Sequence, residues 1–247
     1  MDVMVELKQI GVIYHTLEGE IEAVKDVSFS VEKGEFISII GPSGCGKSTI
    51  LSLISGLIKP SRGTVNVNGK IGYMLQKDYL FEWRTIYKNV IIGLEVQHMI
   101  NSETEKRILK LMENYGLIDF KDFYPRQLSG GMRQRAALIR TLAIDPDILL
   151  LDEPFSSLDY QTKLLISDEI WSIIKKEGKT AILVTHDIAE AISMSDKIIV
   201  LSKRPAVVKN IYKIELTCEE RTPIKCRRAP EFREYFNSIW KELEVHV

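Results

Sequence analysis

The segment Gly41-Pro42-Ser43-Gly44-Cys45-Gly46-Lys47-Ser48-Thr49 has the residue types and spacing of a phosphate cradle. It fits G-x-x-x-x-G-K-[ST], a glycine-rich turn that feeds the N-terminus of a helix. Gly44 and Gly46 let the backbone approach an anion without an obstructing Cβ. The N–H groups of the turn and of the helix end then point at phosphate oxygens. Lys47 is placed to reach the β- and γ-phosphates of ATP, and the Ser48 hydroxyl to ligate Mg²⁺. Cys45 occupies a free position of the pattern and is expected as a small side chain beside the nucleotide. A second glycine-rich stretch, Leu128-Ser129-Gly130-Gly131-Met132-Arg133-Gln134, precedes a helix expected from Met132 to Ala143. Ser129 and the N–H groups of Gly130 and Gly131 form either another anion-binding helix end or a plain N-cap. One chain does not readily bring both stretches to one phosphate, so the pair implies ATP sandwiched between two copies.

Two carboxylates add to this chemistry. The apolar run Ile148-Leu149-Leu150-Leu151 ends in Asp152-Glu153-Pro154. Carboxylates at the carboxyl end of a buried strand lie where open α/β sheets bind ligands. Asp152 would hold Mg²⁺ through water, and Glu153 would act as general base on the attacking water. Taken alone, an apolar strand followed by Asp-Glu is an ordinary surface turn; the phosphate loop upstream gives it meaning. His186 closes the apolar run Ala181 to Thr185, a position from which a γ-phosphate is reachable, although a single histidine is as readily packed or solvated. Gln76 ends the short segment Ile71 to Leu75, where its amide could orient water or touch the metal.

These residues need elements to position them. Phe36 to Ile40 is nearly all apolar, as expected of a strand covered on both faces, and a helix is expected from Lys47 to Ser55. The same buried-strand pattern returns at 148–151, 180–185 and 197–201, alternating with helices, which implies a wound, mostly parallel α/β sheet. Val3 to Leu7 and Val27 to Val31 alternate at period two, as does Gly63 to Gly69, giving an N-terminal antiparallel β part. The middle, about 77–143, turns helical and reads as an insertion; Ser102-Glu103-Thr104-Glu105 is its expected capping box, with Ile108, Leu109, Leu111 and Met112 as an apolar face. The tail from Ser202 carries an expected hairpin and a helix from Pro230 to Leu243.

Bulk properties exclude several classes. Lys and Arg number 33 against 34 Asp and Glu, so nothing supports a broad electrostatic grip on nucleic acid. Cys45, Cys218 and Cys226 show no paired spacing, so neither a disulfide framework nor a zinc site is expected. No apolar run approaches the length that spans a bilayer, and the first residues do not read as a signal peptide. Arg133, Arg135 and Arg140 read as a solvated face of their helix with some acidic partners, and Lys225, Arg227 and Arg228 as a solvated basic tail.

In this order the segments resemble the nucleotide-binding subunit of ABC transporters, over about the first 205 residues. Gly41 to Thr49 is similar to the family's Walker A loop, Gln76 to its Q-loop, and Leu128 to Met132 to its signature motif. Ile148 to Glu153 is similar to Walker B, Ser156-Ser157-Leu158-Asp159 to the D-loop, and His186 to the switch histidine. Tyr14 lies where the family stacks an aromatic on adenine, though a surface tyrosine in a strand reads the same way. The resemblance implies a RecA-like P-loop NTPase core at 1–205 with the helical subdomain at 77–143 inserted, and a C-terminal extension at 206–247. It also implies ATP and Mg²⁺ as ligands, a head-to-tail homodimer, permease subunits as partners, a solute-binding protein at one remove, and a place on the cytoplasmic face of the membrane. Phe81-Glu82-Trp83-Arg84-Thr85 and Ser202-Lys203-Arg204-Pro205 resemble segments of nitrate-, sulfonate- and taurine-type importer ATPases, with Glu82 and Ala206 departing from the pattern. Residues 79–84 are then expected either to receive the permease or to form a packed loop around one buried tryptophan. A soluble ABC ATPase outside transport is the alternative; it would be favoured by coiled-coil insertions or tandem units, which this sequence lacks.

Overall fold

The computed structural model describes residues 2–17, 19–156 and 158–243, so Ser157 of the expected D-loop lies outside the described residues. β1 (Val3–Thr16) and β2 (Gly19–Glu32) pair as one long antiparallel hairpin. Both run well beyond the stretches that alternate in sequence. Register shifts between Leu7 and Ile10 and again up to Ile13 break the period of two, so three consecutive residues, Ile10 to Val12, turn inward. β4 (Arg62–Val67) pairs with the other edge of β1, completing a three-stranded sheet in the order β2-β1-β4.

A second sheet has the order β5-β6-β7-β3-β8-β9. It consists of β3 (Phe36–Ile40), β5 (Ile71–Met74), β6 (Ile148–Asp152), β7 (Thr180–Thr185), β8 (Lys197–Leu201) and β9 (Val208–Lys213). All neighbours are parallel except β9, which turns back along β8 as the expected hairpin. β3 and β7 are buried throughout, which explains their uninterrupted apolar sequences. The register decides where function sits. Ile40 lies opposite Thr185, and Asp152 opposite Val184. Gly41, Glu153 and His186 therefore leave the sheet at one level along one edge.

The helices cover this sheet. α1 (Lys47–Ile54) follows β3. Between β5 and β6 come α2 (Ile86–Val90), α3 (Ile92–Val96), α4 (Ser102–Asn114) and α5 (Gly130–Ala143), with two single 3₁₀ turns. Ala136, Leu138, Ile139 and Leu142 of α5 share a core with Val90, Leu94, Ile108 and Met112. α6 (Tyr160–Lys176) and α7 (Ile188–Met194) flank β7; α8 (Pro223–Cys226) and α9 (Phe232–Leu243) lie in the tail.

Four local expectations change. The N-cap of α4 is Asn101, one residue earlier than expected: its side chain accepts from the N–H groups of Glu103 and Thr104, and the Thr104 hydroxyl accepts from the Asn101 N–H. A threonine at N3 thus does what Glu or Gln does in the usual box, leaving Ser102 as the first helical residue. Leu109 points outward at 36% exposure while Ile108, Leu111 and Met112 are buried. The three arginines of α5 are not a solvated face. Arg133 pairs with Asp78 at 2.9 Å and Glu82 at 3.1 Å, Arg135 pairs with Glu169 at 3.5 Å, and Arg140 donates to the backbone carbonyls of Tyr79 and Asp78. Finally, Cys218 and Cys226 do come together, sulfur to sulfur at 3.8 Å, because the short α8 turns the chain back between them.

Candidate functional site

The phosphate loop joins the end of β3 to α1, and its geometry follows from Gly46. Gly46 has φ 120°, and a Cβ there would lie 3.1 Å from the Ala23 carbonyl oxygen, so only glycine fits both the conformation and the space. No side chain caps α1. By contrast α2, α4, α5, α6 and α7 are all capped, by Thr85, Asn101, Ser129, Asp159 and Asp187. The first N–H groups of α1 thus keep no side-chain acceptor and face outward as donors for an anion. Lys47 is buried, and its Nζ donates to the Gly41 carbonyl at 2.7 Å and the Pro42 carbonyl at 3.1 Å. Those two carbonyls hold the ammonium at the mouth of the loop.

The loop opens on a cleft of about 670 Å³, large enough for a nucleotide. Ser43, Gly44, Gly46, Lys47, Ser48 and Thr49 form one wall, and Gln76, Asp152, Glu153 and His186 the other. Gly41, Pro42 and Cys45 belong to the loop without lining the cleft. Cys45 in particular is buried in the apolar core, so close under Gly41 that a Cβ on Gly41 would meet its sulfur at 2.8 Å; it packs the loop from below and does not lie beside a ligand. Burial pushes its thiol above the ordinary range, which makes it chemically quiet. Tyr14 of β1 also stands outside the cleft wall, but its hydroxyl lies 3.3 Å from the Thr49 hydroxyl, at the rim.

On the opposite wall, the Ser48 hydroxyl donates to Asp152 Oδ1 at 3.4 Å and the Tyr73 hydroxyl to Oδ2 at 3.3 Å. Burial, with Glu153 adding to it, pushes the Asp152 carboxyl above its usual range despite these hydroxyls and Lys47. A half-buried carboxylate facing a hydroxyl, with its charge only partly compensated, is a fitting oxygen donor set for a hard divalent cation such as Mg²⁺. Among the described residues no three His, Cys, Asp or Glu cluster as a metal cage. Mg²⁺ takes one or two protein oxygens and completes its shell with phosphate and water.

Glu153 has φ 45°, a left-handed backbone that costs a non-glycine residue about 1 kcal/mol or more. Its N–H donates to the Val184 carbonyl at 2.9 Å, which locks the turn. The turn aims the carboxylate into the cleft, where Oε2 lies 3.2 Å from His186 Nδ1 and accepts from Gln76 Nε2 at 3.4 Å. The three residues expected to handle the terminal phosphate and its water thus form one cluster.

His186 owes its place to residues that sequence reasoning missed. Asp187 caps α7 by accepting from the Glu190 N–H at 3.0 Å, and its own N–H donates to the Thr185 hydroxyl. Lys163 of α6 bridges Asp187 at 2.8 Å and the fully buried Glu190 at 2.7 Å. Nothing in the sequence links a lysine on one helix to carboxylates 24 and more residues downstream.

The second glycine stretch lies outside the cleft. α5 begins at Gly130, two residues earlier than expected, and Ser129 caps it by accepting from the Met132 N–H at 3.3 Å. Gly131 is buried against α6, where a Cβ would meet Ile166 at 2.8 Å. Its smallness therefore serves helix packing. Ser129 and Gly130 remain exposed. In the loop after Gln76, Asn89 is buried and bonds the backbone of Phe81, Arg84 and Thr85. Trp83 is 75% exposed, which removes the reading of a loop packed around a buried tryptophan.

Comparison with known proteins bears on all of this. Residues 24–156 match the family described as ABC transporter. The chain is 49% identical over 238 residues to the uncharacterised ABC transporter ATP-binding protein YtlC of Bacillus subtilis (strain 168), covering 93% of this chain and 92% of that protein. It is 37% identical over 246 residues to the nitrate import ATP-binding protein NrtD of Synechocystis sp. (strain ATCC 27184 / PCC 6803 / Kazusa), covering 95% and 92%. Among solved structures it superposes with TM-score 0.73 and 33% identity on the dimeric ATP-binding cassette MJ0796 in a post-hydrolysis state with ADP and Pi, covering 86% of this chain and 99% of that one. Similarity that runs nearly end to end, joined to a family match spanning both the phosphate loop and the Asp152-Glu153 strand end, places the chain in the ABC transporter family as one of its ATPase subunits.

Proposed function

We propose that the chain binds Mg-ATP as one half of a head-to-tail homodimer and uses its hydrolysis to drive uptake of a small solute through a separate permease. The observation that carries this reading is the one-sided cleft: phosphate loop, Gln76, Asp152, Glu153 and His186 line it, whereas Ser129 and Gly130 lie elsewhere, exposed at the start of α5. A second copy can supply the missing donors. The dimeric assembly of MJ0796 supports the arrangement.

In this site Lys47 and the N–H groups leading into α1 bind the β- and γ-phosphates. Tyr14 offers its ring to the adenine from the rim. Ser48, Gln76 and Asp152 would hold Mg²⁺, which when bound neutralises phosphate charge as it builds up. Glu153 accepts the proton of the attacking water, and His186 orients Glu153 and the γ-phosphate side. Ser129 and Gly130 of the partner subunit would close on the same phosphate, so positioning and electrostatics from two chains meet in one transition state.

A mixing experiment tests the composite site. Lys47→Ala spoils the phosphate-loop half and Ser129→Arg the other half. Each homodimer is expected to be inactive. Mixed, half of the dimers by statistics are hybrids with one intact site of two, so about a quarter of wild-type turnover should return. If either variant alone retains full activity, or mixing restores nothing, the head-to-tail reading fails.

The importer reading is supported by the likeness to nitrate and taurine import ATP-binding proteins, and the solute by analogy is a small solute of the nitrate, sulfonate or taurine kind, delivered by a solute-binding protein. None of the described helices is long and apolar enough to cross a membrane. In the importer reading a permease carries the path and this chain sits on its cytoplasmic face. Tyr79 and Trp83, 57% and 75% exposed, form the docking rim of residues 79–84; Arg84 is held by Glu95 at 2.5 Å and braces it from inside. Trp83→Ala is expected to leave the ATPase rate of the isolated subunit unchanged while weakening permease binding by about 2 kcal/mol, roughly 30-fold. Co-purification with the permease and vesicle uptake check it; unchanged uptake would remove residues 79–84 from the interface.

A further inference from the structure

Cys218 and Cys226 take no part in the nucleotide site. They lie in the tail, on either side of the turn that leads into α8, with their sulfurs 3.8 Å apart. Closing that gap to a bond of about 2.05 Å needs a movement smaller than a bond rotation supplies. Their exposures differ: Cys218 is half-buried and reachable from solvent, whereas Cys226 is fully buried. Between them in sequence stands Arg221, whose guanidinium bonds Asp196 at 2.8 Å and the Ser195 carbonyl. The Ile224 N–H donates to Asp168 of α6 at 3.0 Å. The turn is therefore pinned to the helices that follow and precede β7, and the two thiols are held facing each other by contacts other than their own.

We propose that Cys218 and Cys226 form a reversible redox-modification site, oxidised to an intramolecular disulfide by low-molecular-weight disulfides such as oxidised glutathione. The Cys218 thiolate attacks one sulfur of the small disulfide; its S–S bond breaks, a mixed disulfide forms at Cys218, and one small thiolate leaves. The Cys226 thiolate then attacks the Cys218 sulfur, forms the protein disulfide and expels the second small thiolate. Two protein thiols are oxidised, one small disulfide is reduced to two thiols, and the two protons pass to the leaving thiolates. The order follows from access, since a tripeptide disulfide reaches Cys218 and not Cys226. Electrostatics agrees with the order. Burial first, then the neighbouring Cys218, push the Cys226 thiol up to about 12, while the Arg221 guanidinium opposes them. Once Cys218 is capped its contribution is gone, and burial alone is left to oppose the Arg221 guanidinium. In a reducing compartment such a pair is a transient sensor and not a structural staple.

The test is incubation of the reduced, folded full-length chain with oxidised glutathione at neutral pH, followed by alkylation, intact mass and peptide mapping. The expected result is loss of two of the three free thiols, a linked peptide pair containing Cys218 and Cys226, a free Cys45, and full reversal by dithiothreitol. Cys226→Ser should stop at a stable glutathione adduct on Cys218. The same treatment in guanidinium, where the geometry is lost, should draw Cys45 into the products. If the folded wild-type chain accumulates the Cys218 adduct without resolving it, or if neither thiol reacts, the proposal is overturned. Neither outcome touches the nucleotide site, so the two readings fail separately.

Discussion

Glu153→Gln is expected to lower ATP turnover by about 10²–10⁴-fold while nucleotide binding persists. The amide keeps the size and shape of the carboxylate, so the left-handed turn at φ 45° and the bond from the Glu153 N–H to Val184 should survive. What disappears is the proton acceptor, and with it the charge on the residue facing His186 Nδ1 at 3.2 Å. In the proposed site the phosphate contacts come from Lys47 and the start of α1, on the opposite wall, and the substitution leaves those residues untouched. Removing negative charge beside a triphosphate should if anything tighten ATP. Phosphate-release assays paired with nucleotide titration check this. Turnover within a factor of a few of wild type would take the general-base role away from Glu153.

Lys163→Met is expected to destabilise the protein by about 3–5 kcal/mol, the cost of stranding a buried charge. For a chain of this size that is a fall of roughly 6–20 °C in Tm. In the intact protein, burial pushes the Glu190 carboxyl above its usual range and Lys163 opposes that push. Burial also raises Asp187, but the Lys163 bond, the capping N–H and Arg227 together hold it below its ordinary value. Without Lys163 Asp187 keeps only Arg227 as a cation, and Glu190 loses its cation with no solvent to turn to. The sign of the pH dependence follows. A carboxyl whose folded pKa lies above its unfolded value weakens the fold while charged, so the deficit is full at neutral pH. It shrinks as pH falls and Glu190 takes a proton. The double variant Lys163→Met, Glu190→Leu should regain most of the loss, because an apolar pair of similar volume fills the space without charge. Calorimetry of the wild type and the two variants across pH decides; an unshifted Tm in Lys163→Met would mean that water reaches Glu190.

Much of the site was legible in the sequence because it is local. Gly41 to Thr49 carries its loop, lysine and hydroxyl within nine positions, and Asp152, Glu153 and His186 each end a strand whose unbroken apolar run betrays burial on both faces. The order of strands is what makes them neighbours, and that was legible only as a class of fold. Pairings between distant positions were not legible. Lys163 meets Glu190 through the packing of α6 on α7, and Cys218 meets Cys226 through a four-residue helix too short for any periodicity. The length of the β1-β2 hairpin was hidden by bulges, which break the alternation a reader relies on. The α5 arginines looked solvated because their partners are distant in sequence: those of Arg133 and Arg140 lie on the loop at 78–82, and that of Arg135 lies on α6.

Those arginines have a mechanical consequence. Arg133 and Arg140 clasp residues 78–82 to α5 through two carbonyls and two carboxylates, and burial lowers the Arg140 pKa while Asp78 opposes that shift. The rim that carries Trp83 and the helix end that carries Ser129 are thereby fastened into one lever, with Gln76 as its connection to the cleft. If the permease docks at the rim as proposed, a displacement delivered there would pass through this clasp to the end of α5 that carries Ser129, where a second subunit's phosphate would feel it.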